Sequence, residues 1–258
     1  MGKRIAGISV IMPAHNSSTT IDDSIQSVIN QSYKNWELLI VDDCSNDDTS
    51  LIVENYTKKF ANIKMYRKNE NVGVAAARNF AVNNASFSWI AFIDSDDLWN
   101  RNKLEKQVSL ANENVNTDLF YTGSAFINDE GEKQNYILKV PRFVNFDQLL
   151  LQNIISCSSV LVKKDVFLKN KMPESDDIHE DFVAWLQILS QGKVARGVQE
   201  PLLIYRLASH SKSSNKFYAM KMNWNAYRYL SIPLRKRIKV MSKYIGRSLA
   251  KYVNLYRM

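Results

Sequence analysis

The chain predicts an α/β fold: a mixed, mainly parallel sheet flanked by helices, followed by a basic helical tail. Three observations predict it. Short apolar runs alternate with helical patterns through the first hundred residues, as βαβ units do. Polar clusters at Asn16, Asp42/Asp43, Asn69 to Asn71 and Asp94/Asp96/Asp97 fall at the carboxyl ends of the apolar runs, where open α/β sheets hold ligands. Charge is divided along the chain: residues 201–258 hold 13 Lys and Arg and no acid, and the preceding 200 residues hold 21 basic against 26 acidic groups. The net charge of +8 therefore averages a body near −5 and a tail of +13.

Ile8 to Met12 is a compact apolar strand closed by Pro13-Ala14-His15-Asn16. Ser17 to Thr20 offer N-caps to a helix whose Ile21, Ile25, Val28 and Ile29 follow helical spacing. Leu38 to Val41 is the second strand and ends in Asp42-Asp43, with Ser45 or Asp47 starting a helix through Leu51, Ile52 and Tyr56. A third strand spans Ile63 to Tyr66, an alanine-rich helix Val74 to Val82, and a fourth strand Trp89 to Ile93, followed by a helix from Asn100 to Ala111. The pattern then changes. Leu119 to Ile127 and Ser159 to Val162 read as strands, with a turn at Gly131 and a short helix at Phe146 to Leu151 between them. Phe182 to Leu189 is helical and stopped by Gly192, and Val198 to Tyr205 is a last strand. The second half completes one mixed sheet.

At 258 residues, 45% hydrophobic and 23% charged, the chain suits one sizeable domain with an appendage. Cys44 and Cys157 lack metal-ligand spacing and read as free thiols of a reducing compartment. No apolar run reaches the ~20 residues that span a bilayer. Met1-Gly2-Lys3-Arg4 leads straight into the first strand without room for a signal peptide, and Ala6 argues against myristoylation at Gly2. The expected location is cytoplasmic, peripheral on the inner face of the cell membrane.

The densest chemistry lies in Trp89-Ile90-Ala91-Phe92-Ile93-Asp94-Ser95-Asp96-Asp97-Leu98-Trp99, a buried strand ending in three acids. A buried, unpaired carboxylate is costly, so these acids should meet water or a cation. Asp94 and Asp96 can turn their oxygens to one hard divalent ion that also holds phosphates. The competing reading is a solvated turn whose Asp caps the next helix. No GxGxxG or GxxxxGK[ST] follows the first strand, so a nucleotide here must be held by side chains and metal.

Five segments together carry a resemblance: Pro13-Ala14-His15-Asn16; Val41-Asp42-Asp43-Cys44-Ser45-Asn46-Asp47-Asp48-Thr49; Asn71-Val72-Gly73 with Ala77-Arg78-Asn79; Asp94-Ser95-Asp96-Asp97; and His179-Glu180-Asp181-Phe182. In order and spacing, over residues 5–210, they resemble the inverting glycosyltransferases of family 2, which have the GT-A fold. Gln31-Ser32-Tyr33, Trp36-Glu37 and Val74-Ala75-Ala76-Ala77-Arg78-Asn79 resemble bacterial enzymes that build capsule, O-antigen or teichuronic-acid-like polysaccharides.

The resemblance implies a single catalytic domain over 1–208, with a nucleotide-sugar half (1–112) and an acceptor half (113–208), and a basic amphipathic tail over 209–258. It implies a UDP-sugar donor, Mn2+ or Mg2+, and a lipid-linked glycan acceptor. Asp96 is then the metal ligand, with Asp94 on the metal or the ribose and Asp97 a helix cap or a support for the other two. Asp43 takes the uracil imide N–H, with Pro13 and His15 beside the base, Asn16 bracing the loop, and Asn71 and Ser95 also on the nucleotide-sugar. Arg78 supplies a fixed positive charge or a fork to the nucleotide; its alternative is a surface ion pair. Asp181 is the base that takes the acceptor proton, kept ionised by the helix N-terminus. Trp185 is open to two roles, stacking on a sugar or packing in the core. His210 is left out of the metal ligands because its offset departs from the family's, and Ser211, Ser213 and Ser214 are placed on a loop closing over the diphosphate.

In the tail, Phe217, Met220, Trp224 and Tyr227 form one helical stripe, and Leu234, Ile238, Met241, Ile245, Leu249 and Tyr252 another. Lys236, Lys239, Lys243, Arg247 and Lys251 lie mostly off that face, which suits an anionic membrane surface. Packing on the body is the alternative, and no nucleic-acid module is present. Two other functions compete: a sugar-phosphate nucleotidyltransferase, which would carry a Gly- and Arg-rich loop after the first strand, and a non-catalytic nucleotide- or glycan-binding protein, which has no need of Asp181 beside Asp94 and Asp96.

Overall fold

Strand β1 (Ile8–Ala14) is buried on both faces because its side chains alternate between two cores. Ile11 points into one and Val10 and Met12 into the other; β2 (Trp36–Asp42) does the same with Leu39 and Val41 against Leu38 and Ile40. The computed structural model describes residues 5–207 and 216–243. Within them β3 (Ile63–Arg67), β2, β1 and β4 (Trp89–Phe92) form a parallel half-sheet in the order β3-β2-β1-β4. The connecting helices are α1 (Ile21–Ile29), α2 (Thr49–Lys59) and α3 (Val74–Asn83). Because β1 has β2 on one side and β4 on the other, the strand order reverses there, and the crevice beyond its carboxyl end is the natural ligand site.

The second half continues the sheet as β9 (Leu161–Lys163), β6 (Leu119–Ile127), β10 (Ala195–Arg206) and β5 (Leu98–Trp99). β7 (Lys133–Leu138) pairs with β6 and β8 (Phe143–Val144) with β10; of these contacts only β6–β10 is parallel. Helices α4 (Lys103–Glu113), α5 (Phe146–Leu151), α6 (Lys164–Lys169) and α7 (Glu180–Ser190) complete the body. This is the mixed, mainly parallel sheet flanked by helices that the sequence predicts.

The differences have physical reasons. β1 runs on through Pro13 and Ala14, paired with Val41 and Asp42; Pro13 has no N–H, but Ala14 O still accepts from Asp43 N–H at 2.8 Å. The helix expected from Asn100 starts at Lys103, because Leu98-Trp99 first pairs with β10 and Asn100 N–H goes to Leu202 O. Its N-cap is Asn102, so none of the three acids caps it, which removes that role for Asp97. β7 escapes the sequence pattern because it is an exposed strand without apolar alternation. At α5 the expected boundaries hold, fixed by a reciprocal capping box between Asn145 and Gln148. Gly192 ends α7 with φ +76.

The tail begins as α8 (Lys216–Tyr229), and this helix packs on the body. Ala226 and Tyr227 are buried in the core shared with α7, Met222 is buried as well, the Tyr227 hydroxyl donates to Leu150 O (2.9 Å), and Asn225 Nδ2 to Asp177 O (3.1 Å). The chain is helical again over 234–243. There Val240 is buried and Met241 packs beside it, so the second stripe is split: Leu234 and Ile238 remain 54% and 55% exposed. The side chain of Phe217, and His210, Ser211, Ser213, Ser214, Ile245, Arg247, Leu249, Lys251 and Tyr252, lie outside the described residues, as does the expected 208/209 boundary. Among the described residues no helix is long and apolar enough to cross a membrane.

Candidate active site

The crevice has two ends. At the first, β1, β2 and the start of α3 meet in one hydrogen-bonded ring. Asp43, buried after β2, accepts Val72 N–H (2.8 Å) and Gly73 N–H (2.9 Å), one on each carboxylate oxygen. Gly73 sits at φ +84, a conformation that side chains rarely adopt, and Asn71 Oδ1 also accepts from it (3.1 Å). His15 Nδ1 lies 2.7 Å from Asp43 O; a carbonyl only accepts, so the proton is on Nδ1. Nε2 is then an acceptor, facing Asn16 Nδ2 (3.1 Å) and Asn71 Nδ2 (3.3 Å). Asn16, at φ 49, holds Asn46 N–H with its Oδ1 and donates its own N–H to Ser45 Oγ. Pro13 lies beneath, buried in β1. Each Asp43 oxygen keeps a second lone pair that a ligand N–H can use. Asp42, by contrast, serves the turn into α2 through Ser45 N–H and the Ser50 hydroxyl.

At the second end, one oxygen each of Asp94, Asp96 and Asp97 lies within 4.8 Å of the others. The loop is tied to α1: Ser95 O accepts from the Thr20 and Ser24 hydroxyls (2.9 Å each), and Ser95 Oγ pairs with Ser17 Oγ (2.8 Å). This corrects the expected capping by Ser17 to Thr20, because the cap residue Thr20 makes no side-chain cap bond and its hydroxyl is committed to Ser95. Arg206 holds the loop from the other side. Its N–H donates to Asp97 Oδ1 (3.0 Å), its Nε to Asp96 O (3.0 Å) and its Nη1 to Asp129 O (3.2 Å).

Burial first, then the Asp94 charge, pushes Asp96 up to about 6 and also raises Asp97 well above its ordinary value. Asp97 Oδ2 is a buried oxygen without a hydrogen-bond partner. Crowded hard oxygens that resist ionising together fit a divalent cation.

Arg78, only 4% exposed, joins this cluster to the last motif. One terminal nitrogen binds Asp94 Oδ1 and the other Glu180 Oε1 at 2.8 Å. It is therefore a buried clamp between two carboxylates and not a surface ion pair. Asp181 follows in the first turn of α7, where its Oδ1 accepts Phe182 N–H. Burial and then Glu180 push Asp181 up to about 7, against Arg78. Desolvation and the Glu180 charge thus act against the helix N-terminus, which favours the ionised form. Trp185 is wholly buried between Phe92 (5.9 Å) and Phe167 (6.3 Å), so its role is core packing.

Sequence reasoning missed Glu180 and Arg206 as partners. Glu180 could have been found as the acid beside Asp181. Arg206 carries only the weak signal of a charge closing an apolar strand.

Residues 9–167 match the model of glycosyl transferase family 2. The chain is 37% identical over 221 residues to TuaG of Bacillus subtilis, a glycosyltransferase named for teichuronic acid biosynthesis, covering 86% of this chain and 87% of that one. It is 34% identical over 254 residues to WfgD of Escherichia coli, named a UDP-Glc:α-D-GlcNAc-diphosphoundecaprenol β-1,3-glucosyltransferase (97% and 96% covered). Among solved structures it resembles Staphylococcus aureus TarS 1–349 in complex with UDP-GlcNAc at TM-score 0.71 and 20% identity, over 95% of this chain and 73% of that one. It also resembles the mannosyltransferase PcManGT of Pyrobaculum calidifontis with GDP-Man and Mn2+, at TM-score 0.67 and 17% identity (96% and 76% covered). The fold is GT-A, and the chain belongs to glycosyl transferase family 2: it is a glycosyltransferase.

Proposed function

We propose that this family 2 chain is a metal-dependent inverting enzyme that moves a sugar from a UDP-sugar to a hydroxyl of a lipid-linked glycan during bacterial surface-polysaccharide synthesis. The observation that carries the reading is the clamp of Arg78 on Asp94 and Glu180, which sets the acid cluster and Asp181 in one crevice. The name of WfgD supports the lipid-linked acceptor, that of TuaG the surface-polysaccharide setting, and the UDP-GlcNAc complex of TarS the donor.

Asp43 is assigned to the uracil N–H, with His15, Asn16 and Asn71 shaping the loop around the base and Pro13 its floor. Asp96 and Asp94, with Ser95 beside them, would hold Mn2+ or Mg2+, which when bound neutralises charge on the diphosphate. Asp181 takes the proton of the acceptor hydroxyl as that oxygen attacks the anomeric carbon and the bond to UDP breaks on the opposite face. A group that titrates near neutrality suits this exchange: it is ionised enough to accept the proton and basic enough to keep it. Arg78 fixes Glu180 beside it.

The rival nucleotidyltransferase reading lacks its phosphate loop after β1, and a purely binding protein leaves Asp181 without a task. UDP release across donor sugars, with and without Mn2+, tests the proposal. Asp181→Asn should lose about a thousandfold in turnover while UDP binding persists, and Asp96→Asn should lose Mn2+-dependent turnover. Full activity in both sinks the mechanism. The tail is read as a reversible membrane contact, with Leu234 and Ile238 exposed beside Arg235, Lys236 and Lys239. Leu234→Ser with Ile238→Ser should release the protein from phosphatidylglycerol vesicles in a sedimentation assay; unchanged binding would refute it.

A further inference from the structure

Strand β6 is paired with β10 along one whole edge, from Leu119 to Ile127. Its other edge is shared. β9 takes only Leu119 and Phe120, and β7 takes over from Ser124. Since β9 is the strand linking β6 to β4, β7 stands beyond its end, on the side where β4 runs out into Asp94. Arg206 closes this corner by reaching both Asp96 O and Asp129 O in the β6–β7 turn. One guanidinium separates the hairpin from the acid loop.

Three aromatic rings follow one another across this corner. Tyr205 is the register partner of Phe126, with ring centroids 5.9 Å apart, and Phe126 is 5.4 Å from Tyr136 on β7. Phe126 and Tyr136 belong to neither core, and Tyr136 is 49% exposed. At the inner end, burial and then the charges of Asp97, Asp94, Asp96 and Asp181 hold the Tyr205 phenol above its ordinary range, so this ring shares the field of the carboxylates. The row thus leads from the acid cluster to solvent. Aromatic faces carry negative charge density and match the C–H face of a pyranose, whose hydroxyls lie around the rim. The nucleotide end, built on Asp43, His15 and Asn71, offers no such row.

We propose that Tyr205, Phe126 and Tyr136 form the acceptor platform: the pyranose bearing the attacked hydroxyl lies on this row, directed toward Asp181 by the Tyr205 end. This rests on the glycosyl-transfer reading above and assigns its acceptor subsite.

Transfer by the full chain to a short-chain lipid diphosphate carrying N-acetylglucosamine, N-acetylgalactosamine, glucose or galactose tests it. Tyr136→Ala should raise the acceptor KM about tenfold, with UDP affinity by titration calorimetry as in the wild type. Tyr136→Phe, which keeps the ring, should restore the acceptor KM. Phe126→Leu should shift the acceptor KM in the same direction. A transferring enzyme whose acceptor KM is unmoved by Tyr136→Ala overturns the platform and leaves the function standing. Donor turnover that none of the lipid probes accelerates also overturns it. A wild-type chain that releases no UDP from any donor overturns the function and the platform together.

Discussion

The two ends of the crevice are built on opposite principles. At the end built around Asp43 the carboxylate charge is met by two backbone N–H groups, and His15, Asn16 and Asn71 satisfy one another. At the acidic end Asp94, Asp96, Asp97, Glu180 and Asp181 crowd together, and the arginines that face them are Arg78 and Arg206. One end is complete without a ligand. The other holds Asp96, Asp97 and Asp181, whose ionisation is opposed first by burial.

The contrast is broken most directly at Arg78. Arg78→Met leaves Asp94 and Glu180 facing each other without their clamp and should cost about 3 kcal/mol of stability, since a half-removed buried pair strands its partners. Denaturant melts at pH 7.5 read it. A loss below about 1 kcal/mol would mean the two carboxylates are solvated well enough to need no clamp.

Asp181 sharpens the contrast through pH. Its folded pKa, about 7, lies above the unfolded value, so it binds a proton more tightly when folded. Its ionisation therefore opposes folding, in full above pH 7 and not at all below the unfolded pKa of about 4. Asp181→Asn should raise Tm at pH 8 and leave it unchanged at pH 4, and wild-type turnover should rise as pH passes through 7. A Tm gain that ignores pH would show the charge is not the cause.

The smallest effect belongs to the complete end. Asp43→Ala frees two N–H groups that water can reach, and should cost about 1 kcal/mol of stability. Its larger consequence is in UDP binding, which should weaken about tenfold by titration calorimetry. Unaltered UDP affinity would remove Asp43 from the base pocket.

The contrast also sorts what the sequence could reveal. β1, β2 and β4 were legible because burial on both faces writes continuous apolar runs, and β6 was legible over its whole length, Leu119–Ile127. The acids at the strand ends were legible for the same reason, since a charge after such a run must lie at the sheet's rim. β5, with two residues, and the exposed β7 leave no periodicity to read. Ser17 and Thr20 look like local caps, and only the fold brings them to Ser95, more than seventy residues away. The raised pKa of Asp181 was hidden because desolvation depends on what surrounds the helix start, whereas the helix start itself is visible in the sequence.

Arg206 has a consequence in time. Asp96 and Asp97 leave the ribosome 110 and 109 residues before the arginine that holds them. During synthesis the first half-sheet can form, as N-terminal units do, with Thr20, Ser24 and Arg78 already holding Ser95 and Asp94, yet Asp96 and Asp97 lack Arg206 until β10 pairs with β6. A chain released early would carry the ring of hydrogen bonds around Asp43 and lack Glu180, Asp181 and Arg206, which complete the other end.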